Sequence, residues 1–181
     1  SGCSRAGALV FPVYKGTFER RSALVIGDLV PKNLHRDALV AFAKDLGRTI
    51  DYVESRQDLH ARKVGYFGVS WGAAVGSVLL AVETRPKAAI VVGAGFDTSR
   101  PLPEADELNF APRVRMPLLM LNGRFDRFLP VESTQQPMFD RLGTPAGQKR
   151  FVLVESGHAP PRNELIKEAI PWLDRWLGSV R

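Results

Sequence analysis

The sequence predicts an α/β fold, a mostly parallel sheet covered by helices on both faces. Unbroken apolar runs such as Ala88-Ala89-Ile90-Val91-Val92 and Leu118-Leu119-Met120-Leu121 read as strands buried on both sides. Segments with apolar residues at three- and four-residue steps separate these runs, as helices covering such a sheet require. The chain has 181 residues, 45% of them hydrophobic and 24% charged, enough for one sizeable core. We therefore expect a single domain over residues 1–181.

The elements follow in order. Ala8-Leu9-Val10-Phe11 is a short apolar run stopped by Pro12, and predicts a first strand. A helix is predicted from about His35 to Gln57, with Leu39, Phe42, Ala43, Leu46, Ile50 and Val53 on one stripe. Gly47 within it costs about 1 kcal/mol relative to alanine. Val64–Val69 reads as the next strand, and Ala73 to about Glu83 as a helix of small residues ending before Pro86. Strands at 88–92 and 118–121 follow, then Arg150–Val154 as the last. Asn163–Leu177 is the final helix, with Leu165, Ile166, Ala169, Ile170, Leu173, Trp176 and Leu177 as its apolar stripe. The longest irregular piece is Gly95–Met116, which carries Pro101, Pro103 and Pro112.

Several classes of function are excluded. No run approaches the ~18 apolar residues of a membrane span. One cysteine, Cys3, cannot build a disulfide framework. The net charge of +6 is dispersed over the chain, without the dense basic strip that nucleic-acid binding uses, so no nucleic-acid partner is expected. A cytoplasmic location is the expectation, with a lipoprotein stub at Cys3 as the alternative.

Chemistry is carried by Gly68-Val69-Ser70-Trp71-Gly72, which fits G-x-S-x-G. Chance yields roughly 0.08 such matches in a chain with 16 glycines and this serine content. The context is more specific than the pattern: a strand precedes Ser70, and the small residues Gly72-Ala73-Ala74-Val75-Gly76 open a helix after it. An inert serine on a strand-to-helix turn is the alternative. A serine hydroxyl needs a base to remove its proton, and a carboxylate to orient that base. Of the three histidines, His35 begins a helix and His60 lies in a loop, whereas His158 directly follows the last strand. Asp126, in Asn122-Gly123-Arg124-Phe125-Asp126, also lies at a strand's carboxyl end, where parallel sheets present functional groups. Asp97 is the rival acid, and Asp126 as a simple turn-former the other alternative. No C-x-x-C, H-E-x-x-H or phosphate-binding glycine loop is present, so no metal or organic cofactor is called for.

The order Ser70, Asp126, His158 resembles the α/β-hydrolase superfamily, nearest to its dienelactone-hydrolase-like and acetyl-xylan-esterase-like members. The resembling segments are Phe11–Arg20, Tyr66–Ala73, Pro117–Asp126 and Gly157–Leu165. The resemblance implies Ser70 as nucleophile, Asp126 as orienting acid, His158 as general base and the Trp71 backbone N–H as an oxyanion donor. It also implies a minimal, amino-terminally shortened fold without a large cap, because the family has further strands before the piece like Phe11–Arg20.

The absent third strand normally leads to the second oxyanion donor, worth about 10²–10³ in rate. We expect the strand at 8–11 to move into the vacant slot, with the loop Val13-Tyr14-Lys15-Gly16 supplying the donor, Tyr14 foremost. Homo-oligomerisation is expected to cover the remaining edge. Phe96 and Phe128 are the expected substrate-binding walls of an open pocket. The expected activity is that of a serine hydrolase cleaving short-chain carboxylic esters. The alternative is a catalytically weak binding or assembly module that keeps the fold.

Overall fold

A computed structural model describes residues 7–22, 30–96 and 101–179. Its centre is a parallel four-stranded sheet in the order β1 (Gly65–Val69), β2 (Ala88–Val92), β3 (Leu118–Gly123), β4 (Lys149–Val154). Gly65 pairs with Ala88, Ala89 with Leu118 and Leu118 with Lys149, so the strands run level and their carboxyl ends lie along one rim. In the central strands β2 and β3 every residue is buried, because alternate side chains enter opposite faces and both faces are covered there.

On one face, Tyr66, Ala89, Val91, Leu118 and Met120 share a core with α1 (Lys32–Ser55) and α3 (Gly76–Val82). On the other, Ile90, Val92, Leu119 and Leu121 pack against Ala169 and Trp172 of α6 (Arg162–Leu177). Leu79, Leu80, Leu118, Leu119 and Leu121 are fully buried. Each such side chain contributes about 1.5–3 kcal/mol over leaving it in water.

The helices sit close to expectation. α1 buries Ala38, Leu39, Phe42, Leu46, Ile50 and Val53, and runs through Gly47 without a break. The Gly47 carbonyl accepts from Arg85 Nη2 at 3.1 Å, and the same guanidinium reaches Asp51, Glu54 and Glu83. α6 continues through Pro171, giving up one backbone bond there. The helix expected over 73–83 starts earlier and is divided at Val75 into α2 (Trp71–Ala74) and α3. Gly95–Met116 contains the short α4 (Glu107–Phe110), capped by Asp106. Like α4, a π-helical turn at Val131–Gln135 and the α5 (Gln136–Arg141) it leads into are not expected from the sequence.

The first expected strand does not form. Residues 8–11 have no strand structure, and Leu9 and Phe11 are 86% and 71% exposed. The reason lies in the segment that follows. Lys15 N–H donates to Asp45 Oδ2 at 2.7 Å, Arg20 pairs with the same carboxylate at 2.9 Å, and Arg20 Nη1 also donates to the Val13 carbonyl. These bonds tie the piece to α1 rather than to the open edge of β1, and Phe11 meets Phe18 edge-on at 6.3 Å. Among the described residues β1 therefore pairs with β2 alone, leaving Phe67 and Val69 about half exposed, at 47% and 49%.

Candidate active site

Ser70 stands where β1 ends and α2 begins. Its N–H donates to the Val92 carbonyl at 2.8 Å, so it still belongs to the ladder. Its backbone then turns to φ 52° and ψ −110°, a conformation few L-residues adopt. Such strain costs of order 1–3 kcal/mol and persists only where the surroundings enforce it. Here the Tyr66 hydroxyl, buried under the turn, donates to the Gly72 carbonyl at 2.6 Å. The turn lifts the Ser70 hydroxyl above the rim and places Trp71 N–H in the first turn of α2, where amides have no partner within the helix.

His158 arrives from β4 through Glu155-Ser156-Gly157. Its Nε2 lies 2.7 Å from Ser70 Oγ and its Nδ1 lies 2.6 Å from Asp126 Oδ2. A carboxylate accepts, so Nδ1 carries the hydrogen and Nε2 faces the serine with its lone pair. The Asp126 side chain is fully buried, and its other oxygen accepts from Phe128 N–H at 2.9 Å and Leu129 N–H at 3.1 Å. Two backbone amides thus aim the carboxylate at the imidazole.

Close backbone approach makes this convergence possible. A Cβ at Gly123 would overlap the Gly157 carbonyl, so the loop carrying the histidine rests directly on the end of β3. Gly93, at φ +64°, passes under the imidazole, where a Cβ would come within 3.1 Å of His158 Cε1. The Asn122 side chain, buried beside it, accepts from Ala94 N–H and donates to the Ala94 carbonyl, fixing the exit from β2.

The remaining expected site residues fall differently. Tyr14 packs edge-on against Phe42 at 5.4 Å and Trp71 at 6.4 Å, and its phenol is pushed up to about 12 by burial and, secondarily, by Asp45. The loop around it offers fewer amides than expected. Lys15 N–H is held by Asp45, Gly16 N–H by the Arg20 carbonyl and Thr17 N–H by the Tyr14 carbonyl. Phe128 is 80% exposed, its ring edge-on to the imidazole at 5.5 Å. Phe96 is buried in the core instead and shows little surface to a ligand. Asp97, the rival acid, lies outside the described residues. Among the described residues no cluster of three His, Cys, Asp or Glu side chains could hold a metal ion, and no helix is long and apolar enough to cross a membrane.

No protein-family model and no curated protein matches the chain. Solved structures do. A cold-adapted esterase from an Arctic intertidal metagenomic library superposes with a TM-score of 0.70 at 21% identity, over 90% of this chain and 67% of that one. An acetyl xylan esterase from Paenibacillus sp. R4 gives 0.68 at 19% identity, over 84% and 57%. This protein has the α/β-hydrolase fold. An esterase from Pyrococcus furiosus gives 0.62 at 18% identity, over 75% and 62%. The chain thus spans about three fifths to two thirds of these neighbours, and among the described residues β1 lies at one edge of its sheet.

Sequence reasoning missed three buried polar side chains around the site: Tyr66, Asn122 and Gln135. Asn122 has a visible signal, an amide ending an apolar strand next to Gly123. Tyr66 and Gln135 have none, since their partners are carbonyls remote in sequence or on another element.

Proposed function

We propose that this α/β-hydrolase is a serine esterase that cleaves short-chain carboxylic esters through an acyl-enzyme, with Ser70, His158 and Asp126 as its catalytic residues. The observation that carries this reading is the unbroken hydrogen-bond chain from Ser70 Oγ through both His158 nitrogens to Asp126, at 2.7 and 2.6 Å. The esterase neighbours agree with it at the level of ester hydrolysis.

In this mechanism Ser70 Oγ attacks the ester carbonyl while His158 Nε2 takes its proton. Asp126 Oδ2 holds Nδ1–H and stabilises the imidazolium that forms. The oxyanion is held by Trp71 N–H, with the Tyr14 hydroxyl as the second donor. His158 then returns the proton to the departing alcohol. Water, activated by the same imidazole, attacks the acyl-enzyme and releases the acid. Trp71 and Phe128 flank the serine and the imidazole with apolar surface, suited to a small acyl or alcohol group. The whole chain acts as one hydrolase domain on a small molecule.

Hydrolysis of p-nitrophenyl acetate tests this. The wild type should turn over, and Ser70→Ala should lose activity by on the order of 10⁴-fold or more. Equal rates for the two proteins would contradict the enzyme reading and leave the weak binding module in its place.

A second proposal concerns assembly. The half-exposed Phe67 and Val69 on an edge strand favour a homo-oligomer that covers them.

A further inference from the structure

Gln135 is fully buried on the π-helical turn that precedes α5, twelve residues from Gly123 and outside every sequence motif of the site. Its amide nitrogen donates to two carbonyls, Leu129 at 2.6 Å and Gly123 at 3.2 Å. Both partners are acceptors, which fixes the amide with nitrogen toward them. These carbonyls bracket the loop whose middle carries Asp126. Gly123 ends β3, and Leu129 is the residue whose N–H already donates to Asp126 Oδ1. One NH₂ group therefore ties together the two ends of the acid loop from underneath.

The rest of the loop is tied to the histidine side. Arg124 N–H donates to the Val154 carbonyl and Phe125 N–H to the Ser156 carbonyl. The Gln135 side is held from behind as well, because a Cβ at Gly95 would meet Thr134 Oγ1 at 2.9 Å and Leu129 Cβ at 3.3 Å. Gln135 Oε1 has no hydrogen-bond partner although it is buried. An amide kept at that cost for the sake of its two donated bonds, on a rare π turn, is the pattern of a site constraint.

We propose that Gln135 is a positioning residue that holds the Asp126 loop in register with His158. It touches neither substrate nor reacting atoms. It acts through Asp126, fixing the carboxylate within bonding distance of Nδ1. The proposal rests on the Ser70–His158–Asp126 reading and deepens it.

Two variants test it. Gln135→Met keeps length and apolar bulk but donates nothing. Gln135→Glu keeps shape, donates to one carbonyl while protonated, and donates nothing once ionised. With p-nitrophenyl acetate, Gln135→Met should lower kcat about tenfold or more while KM stays within about twofold. Gln135→Glu should be intermediate and should lose activity toward alkaline pH where the wild type keeps its plateau. A proton NMR spectrum supplies a readout that needs no turnover. The low-field resonance of His158 Nδ1–H, hydrogen-bonded to Asp126, should be present in the wild type and shifted upfield or lost in Gln135→Met.

A folded Gln135→Met with wild-type kcat and an unmoved resonance would overturn the proposal. So would failure of both variants to fold, which would reassign the amide to holding the fold. Were the wild type itself inactive, the esterase reading would fall, and the resonance alone would still decide the part played by Gln135.

Discussion

Tyr14 joins two consequences in one side chain. Burial and the Asp45 carboxylate raise its phenol from the ordinary 10.0 to about 12. The folded chain therefore keeps a proton that the unfolded chain releases near pH 10. The resulting contribution is fully present below that pH and is lost as pH rises toward about 12. Its size is about 2–3 kcal/mol at most. Tyr14→Phe should flatten the loss of stability over this window, as read by urea denaturation at a series of pH values. With the hydroxyl as the proposed second oxyanion donor, the same substitution should also lower kcat by about 10². Tyr66 and Gln135 were the least legible residues in the sequence. Ser70, His158 and Asp126 could be picked out because motif and strand ends limit where they can lie. The carbonyl partners of Tyr66 and Gln135 are set by how elements stack, which no local pattern encodes. Phe96 and Phe128 are equally apolar in sequence, yet one is core and the other solvent-facing.

At the scale of elements, buried parallel strands were the most legible feature. The run at 88–92 is a strand over those very residues, because a strand dry on both faces must be apolar throughout. The run at 8–11 looks similar and is not a strand, because the bonds of Lys15 and Arg20 to Asp45 hold the segment that follows it against α1 and away from the open edge of β1. The turn and helix over Val131–Arg141 escaped notice because Pro130 and Pro137 flank a polar stretch with few buried apolar residues. The junction of β1 and α2 is the most constrained of these elements. A Cβ at Gly68 would lie 2.5 Å from the Gly72 carbonyl oxygen and 2.8 Å from the Tyr66 ring. Gly68→Ala should destabilise the protein by about 1–3 kcal/mol and depress kcat through the displaced turn. Gly147→Ala, where a Cβ meets nothing within 4 Å, should leave both unchanged. Thermal melts and p-nitrophenyl acetate turnover of the two variants check this.

At the scale of the whole molecule, the strand that leads to the serine is an edge of the sheet among the described residues. The α/β class and the parallel sheet were readable from the rhythm of runs and stripes together with the family resemblance. What lies along the free side of β1 was not, because edge pairing depends on what else is present. Phe67 and Val69 on that edge should be covered by a second copy. Sedimentation velocity of the wild type should give a mass above that of one chain, and Phe67→Lys should shift it to the monomer. A monomeric wild type would contradict the assembly proposal while leaving the site reading intact.

The proposed chemistry depends on Ser70 being a nucleophile made reactive by His158 and Asp126. Its most direct test is covalent. Treatment with a fluorophosphonate, followed by intact-protein and peptide mass spectrometry, should place one adduct per chain on Ser70. Labelling should be slowed by about 10³-fold or more in His158→Ala. A wild-type protein that stays unlabelled, or that carries the adduct on another residue, would contradict the account.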